Sequence, residues 1–142
     1  MSESRRHAVA EFLARYATLC EVGVGRRPEV AADLAERGRT VTATDVEERP
    51  APDGVRFVRD DVVDAADRAD PGDHYRADAV YALNLPPELH RPILAVARTV
   101  DADCLFTTLG GDPPTVDARP VTLAGGETLY VARERHGAAD HE

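Results

Sequence analysis

One stretch near the start of the chain, residues 19–45, restricts the fold more than any other. An apolar segment runs into a turn that contains Gly23 and Gly25, and a helical segment over 28–37 follows directly. A second segment, rich in β-branched residues, then ends at Asp45. This order of strand, glycine turn, helix and strand predicts a βαβ unit in a parallel sheet.

The glycine turn and the acid after it also predict a kind of ligand. Glycine has no Cβ, so the backbone N–H groups of Gly23 and Gly25 are expected to come close to a bound group. Asp45 lies 20 positions after Gly25, about where a nucleotide-binding βαβ unit places the acid that holds ribose hydroxyls. The pattern indicates a ligand that contains adenosine. The alternative is a tight turn without a ligand, followed by an acid that only starts the next turn.

The rest of the chain continues the alternation of strands and helices. The predicted elements are an N-terminal helix over 5–17, strands over 19–24, 40–44, 55–58, 79–83, 105–109, 119–123 and 128–133, and helices over 28–37 and from Pro92 onward. Residues 64–75 read as an acidic loop with at most a short helix. The fold class is therefore α/β, with a mostly parallel, doubly wound sheet, helices on both faces and a C-terminal antiparallel hairpin.

Length and composition set the class of protein. We expect a single domain over 1–133 of the 142 residues and a disordered tail over 134–142. No apolar run approaches the roughly 20 residues of a membrane span, and the N-terminus lacks a signal-peptide core, so we expect a cytoplasmic protein without a membrane partner. The net charge is −9 and all 17 basic residues are arginine, which is typical of a high-salt cytosol and argues against a large nucleic-acid surface.

The spacing of acids and glycines resembles that of class I S-adenosylmethionine-dependent methyltransferases over roughly residues 19–110. The shared features are a Glu-x-Gly-x-Gly turn after strand 1, an acid after strands 2 and 3, and a polar-Pro-Pro loop after strand 4. The resemblance implies that the glycine loop faces the methionine part of the cofactor. It also implies that Glu21 orders the cofactor amino group, Asp45 holds the ribose, and Asp61 meets the adenine amine.

A closer resemblance concerns the short chain and its segment 86–89, which reads Pro-Pro-Glu-Leu. In both respects the sequence is similar to a small uncharacterised family of archaeal, halophile-type proteins that has a Rossmann-like fold and no assigned activity. The resemblance implies a Rossmann-like α/β fold and S-adenosylmethionine as the cofactor, but it implies no reaction.

The sequence departs from both known glycine motifs. Arg27 stands where methyltransferases have a third glycine, and Pro28 stands where the dinucleotide fingerprint has one. Arg26 and Arg27 also precede a helix, where the macrodipole disfavours cations by a few tenths of a kcal/mol each. We hypothesise that one of them, Arg27 by preference, meets a carboxylate or phosphate of the ligand. The alternative is a salt bridge to a nearby acid such as Glu29, Asp33 or Glu21.

Further candidates lie after strands 3 and 4. The run from Asn84 to Pro87 is similar to the Asn/Asp-Pro-Pro-aromatic motif of amino-group methyltransferases, but a leucine intervenes and Glu88 replaces the aromatic residue. Asn84 is therefore a candidate for recognising a target nitrogen, with a polar strand end as the alternative. His90 is a candidate base or a surface residue. Of two adjacent acids, Asp61 is expected to face the pocket and Asp60 to face solvent.

Three function classes follow from these observations. The first is an S-adenosylmethionine-binding, methyltransferase-like protein, whose acceptor site would need the loops over 60–76 and 84–90 or a partner chain, a second copy included. The second is a non-catalytic regulatory or partner-binding module. The third is an NAD(P)-binding oxidoreductase domain. The sequence indicates no metal site, because the histidines are dispersed and the two cysteines, Cys20 and Cys104, read as reduced core thiols.

Overall fold

The computed structural model describes residues 1–135, over which helices and strands alternate. The helices are α1 (Glu3–Leu13), α2 (Glu29–Glu36), α3 (Val62–Asp67) and α4 (His90–Val100). The strands are β1 (Thr18–Val22), β2 (Thr40–Asp45), β3 (Val55–Arg59), β4 (Ala79–Leu85), β5 (Asp103–Thr108), β6 (Arg119–Thr122) and β7 (Thr128–Arg133).

All seven strands form one sheet in the order β3-β2-β1-β4-β5-β7-β6. The first five strands run parallel, and β7 runs antiparallel to both β5 and β6. The order reverses between β1 and β4, which is where ligands bind in doubly wound sheets. The predicted fold class, a Rossmann-like, mostly parallel sheet with a C-terminal antiparallel hairpin, is confirmed.

Helices cover both faces of the sheet. Apolar residues of α1 and α2, such as Leu13 and Leu34, pack on one face, and residues of α3 and α4, such as Ala65 and Ile93, pack on the other. Cys20 and Cys104 are buried and unpaired, as predicted. Their reactivity is low because burial raises the pKa of Cys104 to about 12 and that of Cys20 further still.

Several boundaries differ from those predicted. The first helix ends at Leu13 rather than 17, and Tyr16 beyond it donates a hydrogen bond from its hydroxyl to Asp103 Oδ2 at 2.6 Å. The helix α4 begins at His90, two residues before Pro92, because a 3₁₀ turn over Pro87–Leu89 leads into it. Of the predicted tail, residues 136–142 lie outside the described residues. No helix within 1–135 is long and apolar enough to cross a membrane.

Candidate functional site

The glycine turn after β1 is fixed against the end of β2. Gly23 and Gly25 both have left-handed backbones, with φ of +72° and +60°, a conformation that strains residues with a Cβ. The N–H groups of Gly23 and Val24 both donate to the carbonyl oxygen of Thr44 at 2.9 Å. These glycines are therefore needed for the turn itself, and the amide of Gly23 is already bound within the protein.

Asp45 completes the anchoring of this turn. Its carboxylate is largely buried, and Oδ2 accepts a hydrogen bond from the Gly25 N–H at 2.7 Å while Oδ1 accepts one from the Glu47 N–H at 3.1 Å. The expectation that the amides of Gly23 and Gly25 are free to meet a ligand is therefore wrong. The nearest acceptors for these amides are the Thr44 carbonyl and the Asp45 carboxylate, so the turn folds onto the end of β2. An ionised carboxylate accepts about four hydrogen bonds, so Asp45 retains capacity for a ligand.

Two cavities lie at the carboxyl end of the strands, and Gly23 lines both. The first has a volume of about 180 Å³ and is lined by Met1, Arg6, Glu21, Gly23, Val24, Gly25, Arg26, Arg27, Glu29, Val30, Leu83 and Asn84. The second has a volume of about 220 Å³ and is lined by Val22, Gly23, Thr44, Asp45, Val46, Asp60, Asp61, Val62, Val63 and Leu89. The predicted site residues Glu21, Gly23, Gly25, Arg27, Asp45, Asp61 and Asn84 all line one or both cavities.

Glu21 supplies a carboxyl group at the inner end of the first cavity. Glu21 is only 1% exposed, and its Oε1 accepts a hydrogen bond from the Tyr81 hydroxyl at 2.7 Å. Desolvation raises the pKa of Glu21 to about 7, against the lowering effect of the Tyr81 hydrogen bond, and nearby Glu29 adds to the rise. This side chain therefore changes charge near neutral pH and would be stabilised as a carboxylate by a cation in the cavity.

Arg26 and Arg27 supply positive charge at the mouth of the same cavity. Both residues are exposed, and within residues 1–135 neither forms an ion pair. The alternative of a salt bridge to Glu29, Asp33 or Glu21 is therefore wrong, in part because Asp33 pairs with Arg37 at 2.8 Å. Among the described residues, no side chain caps the N-terminus of α2. The arginines thus stay available to an anion beside a helix end that also attracts one.

Of the two acids after β3, only Asp60 differs from its predicted surroundings. Asp61 lines the second cavity, but Oδ1 also accepts the Val63 N–H at 2.8 Å and caps α3. Asp60 is not solvated. Its side chain is 12% exposed, and Oδ2 accepts hydrogen bonds from Arg68 at 2.7 Å and from His74 Nε2 at 2.8 Å.

The network around Asp60 is the main feature that sequence reasoning missed. Desolvation raises the pKa of Asp60, but the hydrogen bonds from Arg68 and His74 outweigh it and the pKa is lowered. Oδ1 of Asp60 also accepts the N–H of Asp61 at 2.8 Å, so the network fixes the backbone of the predicted adenine contact. The sequence shows only that Gly72 lies two residues before His74; in the structure a Cβ at Gly72 would lie 2.5 Å from the His74 ring, so this ring position requires glycine.

Asn84 occupies a bulge at the end of β4 and lines the first cavity. Pairing of β4 with β5 shifts register between Ala82 and Leu85, and Asn84 has φ of +52°. Its N–H donates to Thr107 Oγ1 at 2.7 Å, while its side-chain amide has no hydrogen-bond partner within residues 1–135. Asparagine tolerates this left-handed backbone better than most residues, and the strain places a free amide at the cavity.

Substitutions at Asn84 test whether backbone strain or the amide explains the residue. We expect Asn84→Ala to lower the free energy of unfolding by about 1 kcal/mol, because alanine is strained at positive φ, and Asn84→Gly to leave it unchanged or higher. Urea unfolding of the two variants provides the measurement. Equal stability of both variants would contradict the strained geometry at this position.

His90 is buried and does not line either cavity, so both predictions for it, a candidate base and a surface residue, are wrong. The residue is fully buried, Nδ1 accepts a hydrogen bond from the Thr115 N–H at 3.0 Å, and Nε2 lies 3.1 Å from the carbonyl oxygen of Leu85. Because Nδ1 accepts, the ring is neutral and Nε2–H donates to Leu85. The ring stacks on Phe106 at 4.5 Å between centroids and joins the loops after β4 and β5.

A structural role for His90 predicts a large loss of stability on substitution. We expect His90→Leu to lower the free energy of unfolding by about 2 kcal/mol, because the buried carbonyl of Leu85 and the partly buried N–H of Thr115 lose their partners. Exposed His7 provides the control, and His7→Leu should change stability by less than about 0.5 kcal/mol. Chemical unfolding of both variants measures the difference, and equal values would contradict the buried network.

Comparisons with known proteins find a matching protein family and similar archaeal proteins. The model of an uncharacterised protein family, UPF0146, matches residues 4–135. A UPF0146 protein from the archaeon Halobacterium salinarum is 51% identical over 126 residues, which are 89% of this chain and 95% of the relative.

The similar solved structures include methyltransferases. An RNA methyltransferase from Salinibacter ruber in complex with S-adenosyl-L-homocysteine has a TM-score of 0.60 at 16% identity, covering 95% of this chain and 94% of that one. Magnesium protoporphyrin IX methyltransferase from Synechocystis with bound S-adenosylhomocysteine has a TM-score of 0.59 at 14% identity, covering 92% and 83%. At such identities the similarity shows a shared fold.

Proposed function

The chain belongs to the uncharacterised protein family UPF0146, and from its fold and the geometry of its two cavities we propose that it binds S-adenosylmethionine and transfers the methyl group to an acceptor. The cofactor would span both cavities and pass Gly23, which lines each of them. The fold shared with solved methyltransferases supports the proposal, and the charged side chains that line the first cavity are its main basis.

The first cavity is complementary to the two charges of an amino acid. Buried Glu21 would pair with the ammonium group of the methionine part. Arg6, Arg26 and Arg27 line the same cavity and offer guanidinium groups to the carboxylate, with the N-terminus of α2 beside them. The cavity combines two acids, Glu21 and Glu29, with three arginines, and this arrangement of charges is the observation on which the proposal depends.

The second cavity suits a nucleoside. Asp45 retains acceptor capacity for ribose hydroxyls, and Asp61 could accept from the adenine amine while it caps α3. Val46 and Val63 line the cavity and are 54% and 42% exposed, an uncommon degree for apolar side chains that a flat ring would cover. The cavity therefore combines acceptors with apolar walls, as a purine nucleoside requires.

The acceptor substrate would approach at Asn84. Its free amide lines the cavity that would hold the methionine part, so it could orient a nucleophile toward the methyl group. Positioning of this kind supplies much of the catalysis in methyl transfer. A non-catalytic module is the second candidate, favoured by the fact that His90 is locked in the core and provides no base. A labelled-methyl assay with cell extract separates the two candidates.

An NAD(P)-binding role fits this cleft less well. A dinucleotide places its pyrophosphate against free amides of the glycine turn, but the amides of Gly23, Val24 and Gly25 are bound to β2. The second cavity is also lined by three carboxylates, which repel phosphate. The comparison of NAD with S-adenosylhomocysteine is therefore a direct test of the cofactor class.

Calorimetry with S-adenosylhomocysteine and NAD at one salt concentration tests the proposal. We expect saturable binding of the first and none of the second at the same concentrations. Arg27→Ala should weaken binding about tenfold through loss of the carboxylate contact, whereas Arg56→Ala, which removes an exposed arginine on β3 outside both cavities, should not. Equal affinity of wild type and Arg27→Ala would show that Arg27 does not contact the carboxylate. Absence of S-adenosylhomocysteine binding to wild type would overturn the proposal.

A further inference from the structure

A third cavity, on the outer side of α4, is separate from the proposed cofactor cleft. It has a volume of about 340 Å³, which is within the range of about 300–1,000 Å³ typical of small-molecule sites. Its lining residues come from α4, from the segment after β5 and from β7: Arg91, Leu94, Arg98, Thr115, Val116, Asp117 and Ala132. None of these residues lines the first or the second cavity.

The walls of this groove are held in place. The Thr115 N–H donates to Nδ1 of buried His90, and the Thr115 hydroxyl donates to the Pro87 carbonyl at 3.4 Å. These bonds tie the segment that carries Val116 and Asp117 to the start of α4. Leu94 on the opposite wall is buried, so both walls rest on the core.

Two arginines of the groove remain unpaired although the chain is rich in acids. The sequence has 26 acidic and 17 basic residues, so most arginines could find a carboxylate. Arg91 and Arg98 are exposed, and within residues 1–135 neither side chain forms an ion pair or a hydrogen bond, even to Asp117 in the same groove. Spaced seven residues apart on α4, they lie on one face about 10 Å apart along the axis.

We propose that this groove binds a small phosphorylated molecule that carries hydroxyl groups, such as a sugar phosphate. Arg91 and Arg98 bind the phosphate, because guanidinium groups match its geometry and charge. Asp117 repels phosphate but accepts hydrogen bonds, so it binds a hydroxyl group of the same molecule. The apolar side chains of Leu94, Val116 and Ala132 contact the carbon skeleton.

The overall charge favours a small ligand over a nucleic acid. With a net charge of −9, the surface repels a long polyanion, whereas a single phosphate between two arginines experiences mainly its local surroundings. This inference does not depend on the proposed methyltransferase function, and it is tested without S-adenosylmethionine.

Calorimetry with ribose 5-phosphate, ribose and a single-stranded RNA decamer, at one salt concentration, tests the inference on the full chain. We expect saturable binding of ribose 5-phosphate and at least tenfold weaker binding of ribose and of the RNA. Arg91→Gln and Arg98→Gln should each raise the Kd for ribose 5-phosphate at least tenfold, Arg91→Lys by less, and the control Arg56→Gln not at all.

The unfolding temperature of each variant confirms that the fold is retained. The inference is overturned if ribose 5-phosphate does not bind wild type, if Arg56→Gln weakens binding as much as the groove variants, or if the RNA binds more tightly through the same arginines. A result in which ribose binds as well as its phosphate ester also overturns it.

Discussion

Glu21→Gln is expected to make the protein more stable at pH 8 and to weaken S-adenosylhomocysteine binding about 100-fold. The pKa of Glu21 is raised from 4.5 to about 7 by burial, so the folded state binds a proton that the unfolded chain has lost. The free energy of unfolding therefore falls as pH rises through this window, by about 3 kcal/mol in total. Glutamine does not ionise and can still accept from Tyr81, so the variant avoids this loss.

The same substitution weakens binding because the proposed ion pair with the cofactor ammonium is lost. In wild type, that ammonium favours the carboxylate, so binding at pH 6 requires release of a proton. Affinity should be about tenfold lower at pH 6 than at pH 8, and Glu21→Gln should show no such dependence. Calorimetry at both pH values and urea unfolding at pH 4 and pH 8 provide the measurements. Unfolding curves that shift equally with pH in both proteins would contradict the raised pKa.

Asp45→Ala is expected to lower the free energy of unfolding by about 3 kcal/mol and to abolish measurable cofactor binding. The partly buried N–H groups of Gly25 and Glu47 lose their acceptor, each at a cost of about 1–2 kcal/mol. Because the glycine turn also loses one of its three hydrogen bonds to the end of β2, both cavities that share Gly23 are disturbed.

Two variants separate the roles of Asp45. Asp45→Asn keeps one acceptor oxygen and the side-chain shape, so it should retain at least half of the lost stability and weaken S-adenosylhomocysteine binding about tenfold. Glu47→Ala removes a neighbouring exposed acid and should change neither property. Urea unfolding and calorimetry measure both effects. An Asp45→Ala protein as stable as wild type would show that the carboxylate does not hold the turn.

The sequence predicted the fold more completely than the roles of the site residues. Alternation of strand and helix signals with the turn at Gly23 was enough for a parallel sheet, and the acids after β2 and β3 had to meet because parallel strands end at one edge. The hydrogen-bond partners could not be read in this way. Adjacent side chains of an extended chain point to opposite sides, so with Asp61 placed toward the pocket the sequence predicts a solvated Asp60. The contacts of Asp60 with Arg68 and His74 depend instead on how the loop after α3 folds back.

His90 illustrates the same limit. A histidine after a Pro-Pro turn near the sheet edge suggests a base at the pocket mouth, and its true surroundings depend on a loop 25 residues later that brings Thr115 to Nδ1. The bulge at Asn84 was likewise hidden, because nothing local in the sequence distinguishes a register shift from a regular strand end.

The two outer strands of the sheet limit how copies of this chain can associate. On one border, β6 is only four residues long and includes Pro120, which has no amide proton to offer. On the other border, β3 carries Arg56 and Arg59, one on each face, and charged side chains on an edge strand discourage pairing with a further strand. A continuous intermolecular sheet is therefore disfavoured, which protects the fold against fibrillar assembly and leaves helical faces and loop tips as the surfaces for self-association.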